Sequence, residues 1–147
     1  MNLRPATTDD LAAIRSLLLA SRLPVDDLDT AEIDFIVTAD AKDIVGVVGL
    51  ERFGDSGLLR SFAVRDDLRS HGFGAQMAEA VEAHAAGFGL QHLVLLTQTA
   101  APFFAKRGYA TIGRDQAPPE VQASAEFRSI CPASATCMIK SLRESTA

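Results

Sequence analysis

Cysteine is scarce in this chain, and so is any concentration of positive charge. Cys131 and Cys137 are its only cysteines, six positions apart. They form no CxxC pair and have no histidine cluster beside them, so nothing points to a zinc site and reduced thiols are the default. No stretch is dense in lysine or arginine and the net charge is −5, which argues against a nucleic-acid or anionic-membrane surface and for a small ligand. No charged-then-apolar leader is present and no apolar run approaches the ~20 residues of a membrane helix, so a cytoplasmic location is expected. No internal repeat is evident. The chain does have the apolar content of one domain spanning residues 1–147, with 48% of its 147 residues hydrophobic, which is ample for a core.

Leu3-Arg4-Pro5 reads as a short edge strand. Thr8 followed by Asp9 and Asp10 reads as an N-cap with an acidic first turn. The helix it opens should run to about Ser21, because Leu11, Ile14, Leu17 and Leu18 repeat at helical spacing and Pro24 lies just beyond. Asp26 to Glu32 is expected to be a short helix, with a flap or a solvated connection as alternatives. β-branched density predicts strands over Asp34 to Thr38 and Ile44 to Arg52, turning at Ala39-Asp40-Ala41-Lys42-Asp43. Phe53-Gly54-Asp55-Ser56-Gly57 is the next turn and Leu58 to Val64 the next strand, so three strands on tight connections should be antiparallel.

Arg69-Ser70-His71-Gly72-Phe73-Gly74 follows, directly ahead of an alanine-rich helical run, Ala75 to Ala86. Two glycines allow positive φ and close backbone approach, so successive N–H groups can converge on phosphate oxygens at a helix N-terminus; Arg69 adds a fixed cation. The segment is a candidate pyrophosphate cradle. Phe73, Met77, Val81 and His84 mark one face of the helix, which Gly87 and Gly89 terminate. His92 to Thr97 is a buried strand, parallel to Leu58 to Val64 through a right-handed crossover. The run Ala100 to Tyr109 holds a helix with Pro102 in its first turn and Gly108 at its end, with strand immediately after it that Ala110 to Arg114 continues. Pro118-Pro119-Glu120 can open another short helix, and Ala135 to Leu142 is a last strand with Cys137 and Ile139 on one face. The fold class is α/β with a mixed (α+β) sheet.

This order of elements, the Arg69 to Gly74 loop and the run Phe103-Phe104-Ala105-Lys106-Arg107-Gly108-Tyr109 resemble the GNAT acyl-CoA N-acyltransferase superfamily over nearly the whole chain. More narrowly, Gly49-Leu50-Glu51, Leu58-Leu59-Arg60-Ser61 and Glu126-Phe127-Arg128-Ser129-Ile130-Cys131-Pro132 look like the arsenic-resistance N-acetyltransferases. The resemblance implies a GNAT-like fold with an antiparallel N-terminal meander, splayed parallel central strands and flanking helices. It implies acetyl-CoA as acyl donor, with backbone groups of Phe62, Ala63 and Val64 on the pantetheine arm and the amides of Ser70 to Gly74 on the pyrophosphate. The thioester would lie where the Leu58 to Val64 and His92 to Thr97 strands part. It further implies a small-molecule amine acceptor, arsinothricin or a related organoarsenical in the narrower case, hence arsenic detoxification; a homodimer is compatible with it. Acylation of protein amines, or acyl-CoA binding without catalysis, are the competing functions. One departure stands out: many members have tyrosine where this chain has Phe104, and Phe104 cannot protonate a departing thiolate.

The candidate catalytic residues are Glu51 and Ser61. Glu51, ending a strand beside the acceptor side, is the best carboxylate for a base; alternatively it is solvated or pairs with Arg52 or Arg60. Arg60 interrupts an apolar strand and needs an anionic partner, either a substrate carboxylate or Glu51 or Glu126. Strand alternation sets Ser61 on the opposite face from Arg60 unless a bulge intervenes. Thr97, Glu126 and Arg128 join Arg60 as acceptor-side candidates, with plain solvation the alternative for Glu126 and Arg128. His71 touches phosphate or solvent, while His84 and His92 read as a helix-face and a strand-start residue. Phe103 and Phe104 are core or cofactor-packing residues. Cys131 and Cys137 are either small buried hydrophobes or, through the family resemblance, thiolates for a trivalent arsenical.

Overall fold

The computed structural model describes residues 2–23, 25, 28, 32–40, 43–68, 72–130 and 134–142. Its backbone divides into two compact units, Met1–Glu51 with Leu59–His84, and Arg52–Leu58 with Ala85–Ala147.

The first unit begins with strand β1 (Asn2–Pro5), a tight 3-10 turn (Thr8–Asp10) and helix α1 (Leu11–Ala20). The residue at the cap is Thr7, one position earlier than expected. Its N–H donates to the Asp10 carboxylate at 2.8 Å, and the same carboxylate accepts from Arg4 at 2.8 and 3.0 Å. Asp10 is therefore drawn back to the start of the segment and tightens its first turn. Strands β2 (Ile33–Ala39) and β3 (Ile44–Phe53) pair antiparallel, with Val37 opposite Val47 and Ile33 opposite Glu51. At their hairpin, Asp43 N–H donates to Asp40 Oδ1 at 2.8 Å. Strand β4 (Ser56–Val64) follows after only Gly54 and Asp55, so both strands extend into the five-residue turn read from the sequence. Gly54 makes this possible by adopting a φ of 61°. Of the helix expected over Asp26 to Glu32, Asp26, Asp27, Asp29, Thr30 and Ala31 lie outside the described residues; Leu28 is buried.

Helix α1 covers one face of these strands. Ile14, Leu17 and Leu18 pack with Val37, Val47 and Ala63 in one apolar cluster, ringed by Ile33 and Phe35. Helix α2 (Phe73–Gly87) meets the opposite face, because a Cβ on Gly46 would come within 3.0 Å of Met77 Sδ. Gly46 pairs with Thr38, one step along from the Val37–Val47 pair, so alternation puts the two contacts on opposite sides. Met77, Ala78, Val81 and Ala85 are the buried stripe of α2, with Phe73 and His84 half-buried at its margins.

In the second unit, the first residues of β4 pair in parallel with β5 (His92–Thr97), Ser56 to Leu58 against His92 to Val94. A long helix between the two strands enforces the crossover. Helix α3 (Ala101–Ala105), strand β6 (Ala110–Ile112), helix α4 (Pro119–Gln122) and strand β7 (Thr136–Ser141) complete it, with β7 antiparallel to both β5 and β6. Strand β6 stops at Ile112 rather than Arg114, because Gly113 N–H turns to Gln116 Oε1 at 2.9 Å and Arg114 enters a 3-10 turn. Leu58, Val94, Ala117, Val121 and Cys137 form the core, with Ile139 on the Cys137 face as alternation requires. The hydrogen-bonded strand order is β1-β2-β3-β4-β5-β7-β6, a mixed seven-stranded sheet. Among the described residues no helix is long and apolar enough to cross a membrane.

Candidate active site

Strand β4 should alternate, yet Arg60 and Ala63 face the same side. Ala63 belongs to the α1 cluster. Arg60 reaches Glu51, which lies two and four residues beyond Gly49 and Val47 on the face that α1 covers. An odd separation cannot do this in a regular strand. The break is at Ser61, whose φ of 56° is left-handed, one of two such non-glycine residues described. This bulge corrects the expectation that Arg60 and Ser61 point to opposite faces: Arg60 Nε donates to Ser61 Oγ at 3.4 Å.

Arg60 finds its anion inside the protein. Its Nη1 lies 3.0 Å from Glu51 Oε1; the guanidinium side chain has no exposed surface and the Glu51 side chain is 12% exposed. The pair is therefore nearly dry, and breaking it would cost each charge a partner that stands in for water. Beside it, a Cβ on Gly49 would lie 3.3 Å from Arg60 O and 2.9 Å from Ile33 Cγ2, so only glycine lets the two backbones come this close.

Downstream of the bulge, Ala63 and Val64 are buried and Phe62 half-buried. Arg65 closes the strand with an N–H bond to Val45 O at 2.8 Å and an exposed ion pair to Asp67 at 2.7 Å. Arg69, Ser70 and His71, the first half of the expected cradle, lie outside the described residues. Its second half is described. Gly72 has a φ of 84° and open space where a Cβ would be, and Phe73 and Gly74 begin the 15 residues of α2. Gly72 O accepts from Gln76 N–H at 3.2 Å, which leaves the intervening first-turn amides directed out of the helix.

The other candidates lie in the second unit. Thr97 is half-buried and its Oγ1 accepts the Ala100 N–H at 3.0 Å, so the hydroxyl shapes the entry to α3. Phe104 is buried with its ring edge-on to Phe103 and Tyr109, at 5.0 and 5.3 Å between centroids. Tyr109, the chain's single tyrosine, is thus buried against the residue that replaces the usual one. Sequence reasoning passed over it because it sits at the helix end, where it read as the start of a strand.

Glu126 is not solvated: it is 4% exposed, in a π-helical turn over Glu126–Ile130 that packs Phe127 against the core. Arg128 on the same turn is exposed, and among the described residues it makes no ion pair. Cys137 is buried, and burial pushes its thiol above the ordinary value despite the opposing pull of Arg114. Cys131 lies outside the described residues. His84 and His92 are half-buried, on a helix margin and at a strand start as expected.

Comparison with known proteins returned a family model described as acetyltransferase (GNAT) domain, matching residues 31–111, over half of the chain. Among solved structures, N-acetylglutamate synthase from Neisseria gonorrhoeae, complexed with coenzyme A and N-acetyl-glutamate, superimposes with a TM-score of 0.83 at 20% identity. The match covers 96% of this chain and 35% of that one, so the chain spans about a third of that protein's length. An acetyltransferase of GNAT family from Staphylococcus aureus Mu50 gives 0.81 at 16% identity, covering 97% and 99%. Rv2747 from Mycobacterium tuberculosis, in complex with CoA and NLQ, gives 0.75 at 21% identity, covering 96% and 99%. At these identities the likeness is one of fold.

Proposed function

The chain belongs to the GNAT acetyltransferase family, with acetyl-CoA as its acyl donor, and from that premise we propose that it acetylates the primary amine of a small amino-acid-like acceptor. The observation that carries the reading is the run from Ser61 to Gly74. A strand breaks at a left-handed serine, and a 15-residue helix begins behind a positive-φ glycine, at which an added Cβ would meet no described atom within 4 Å. A bulge turns strand backbone out of its regular register, and the helix start supplies amides and a positive dipole end suited to phosphate.

In this reading the residues 1–147 act as one acyltransferase domain. The amides of Gly72, Phe73 and Gly74, with Arg69, Ser70 and His71, hold the pyrophosphate, and the backbone of Phe62 to Val64 holds the pantetheine arm. Phe104 contributes apolar packing to the donor side. Acetyl-CoA supplies an activated carbonyl: the amine nitrogen bonds the acetyl carbon, the C–S bond breaks, nitrogen gives up a proton and sulfur ends as a thiol. A free α-amino group has a pKa of about 8, so water suffices to take that proton near neutrality. Glu51 was the sequence's choice of base, but its Oε1 is engaged by Arg60. We therefore read it as a brace, with the proton leaving to solvent.

Arg128, exposed and unpaired among the described residues, is the guanidinium that receives the acceptor's carboxylate. Thr97 shapes that side through its bond from the Ala100 N–H, and the buried Glu126 lies on the same turn as Arg128. A glutamate-like acceptor is supported by the synthase solved with N-acetyl-glutamate. The three sequence segments that resemble arsenic-resistance enzymes narrow the class to arsinothricin, whose acetylation would be a cytoplasmic detoxification step. The burial of Cys137, which pushes its thiol up, speaks against a thiolate hold on arsenic.

The deciding experiment is acetyl-CoA-dependent thiol release across glutamate, phosphinothricin, arsinothricin and a lysine peptide, with CoA binding measured in parallel. Selective turnover of a glutamate-like amine is expected. Turnover of the lysine peptide alone would overturn the acceptor class, and CoA binding with no turnover would point to a non-catalytic module.

A further inference from the structure

We propose that the Glu51–Arg60 pair is a positioning device: it holds Ser61 in its left-handed conformation and so aims the backbone amides that follow, instead of binding the acceptor. The proposal rests on the acetyl-transfer reading above.

Left-handed backbone is unfavourable for any residue with a Cβ and persists only where its surroundings enforce it. Ser61 stands in the middle of a nine-residue strand with a φ of 56°. The side chain before it supplies the restraint. Arg60 Nε donates to Ser61 Oγ at 3.4 Å, while Nη1 of the same planar group donates to Glu51 Oε1 at 3.0 Å. One rigid guanidinium thus ties the bulged residue to β3. Gly49 shapes the other side, since any Cβ there would press on Arg60 O and Ile33. The result is the reversed alternation that sets Arg60 and Ala63 on one face, and with it the direction of the Phe62 amide between them.

Burial decides between positioning and binding. With no exposed surface on its side chain, Arg60 could reach an acceptor carboxylate only by giving up its bond to Glu51 and its hold on the bulge. Serine's hydroxyl lets the guanidinium hold it, whereas glycine adopts the same φ unaided. That difference is the basis of the test.

Glu51→Gln should be made alone and together with Ser61→Gly, and each protein assayed for kcat, for both KM values and for melting temperature. If the pair positions the bulge, E51Q alone lowers kcat roughly tenfold or more and raises the acetyl-CoA KM, because the amides it aims hold the donor, while the acceptor KM moves less than about threefold. Added to S61G, the same change costs kcat less than about threefold, and the melting temperature shows the same non-additivity. An acceptor KM that rises sharply on E51Q and is unaffected by S61G would overturn the proposal in favour of direct binding. Additive losses in melting temperature would overturn it as well. The melting cycle needs no acceptor, so it decides the positioning role even if no amine is turned over and the acetyl-transfer reading falls. Should E51Q fail to fold, E51D, which keeps the charge but shortens its reach, carries the same comparison.

Discussion

Arg60 Nη1 lies 3.0 Å from Glu51 Oε1, and the arginine side chain has no surface open to solvent. A charge so enclosed has exchanged its water for protein partners, this carboxylate among them, and breaking such a pair is worse than never having had it.

Glu51→Ala is therefore expected to destabilise the protein by about 3–5 kcal/mol, the range for breaking a buried ion pair by removing one partner. Urea unfolding measures it. Asp67→Ala, at the exposed Arg65–Asp67 pair, is the matched control and should leave the midpoint unchanged. A Glu51→Ala loss no larger than the control would mean that the Arg60 site readily admits water.

Arg128→Ala should raise the acceptor KM by roughly 10–100-fold, the equivalent of one charge-assisted hydrogen bond of about 1.5–3 kcal/mol. The acetyl-CoA KM should stay put. Steady-state kinetics with both substrates varied separates the two, and equal effects would remove Arg128 from the acceptor side.

Gly72→Val should cost about 1–2 kcal/mol, because the left-handed conformation penalises a Cβ even though open space would receive the side chain. CoA affinity should fall with it, as the branched side chain stands before the α2 amides. Calorimetric titration reads the affinity. A variant that binds CoA normally would show that the cradle lies elsewhere.

The Arg4–Asp10 pair makes a pH-dependent contribution. The Arg4 guanidinium, and then the Thr7 N–H, hold the Asp10 carboxyl well below the ordinary carboxylate range. A carboxyl depressed on folding adds stability that is complete above its unfolded value of about 4 and is lost as the pH falls below that value. Asp10→Asn should melt below the parent at neutral pH, and the gap should close progressively in acid. Melting curves from neutrality down to about pH 2 test the sign.

Cys137, with its thiol pushed up by burial, should resist iodoacetamide in the native protein at neutral pH and react once unfolded. Peptide-resolved mass spectrometry distinguishes it from Cys131. Rapid native labelling of Cys137 would reopen a thiol role.

Much of the fold was legible because local pattern and burial agree. Leucine and isoleucine at helical spacing marked α1, and β-branched runs marked β2 and β3. His92 to Thr97, expected as a buried strand behind the glycines that end the helix, is β5 residue for residue. The ends shifted where a side chain outside the pattern intervened: Asp10 reaching back to Thr7, Gln116 taking the Gly113 N–H. Tyr109 and Glu126 were misread for one common reason. Their burial depends on elements far along the chain, and a lone tyrosine or a charged alternation carries no local signal of what will cover it.

The sequence by itself determined the order of the described strands and longer helices, the glycines Gly72 and Gly74 at the start of α2, the lack of any stretch dense in lysine or arginine and the pairing need of Arg60. Those follow from residue chemistry and spacing alone. Tertiary structure decided which anion answered Arg60, and that Ser61 would break the alternation of β4. A bulge is not written into the residue that adopts it. It arises only when a neighbouring strand brings a carboxylate and a bare Gly49 alongside, so that the cross-strand ion pair and close approach outweigh the local preference for extended backbone.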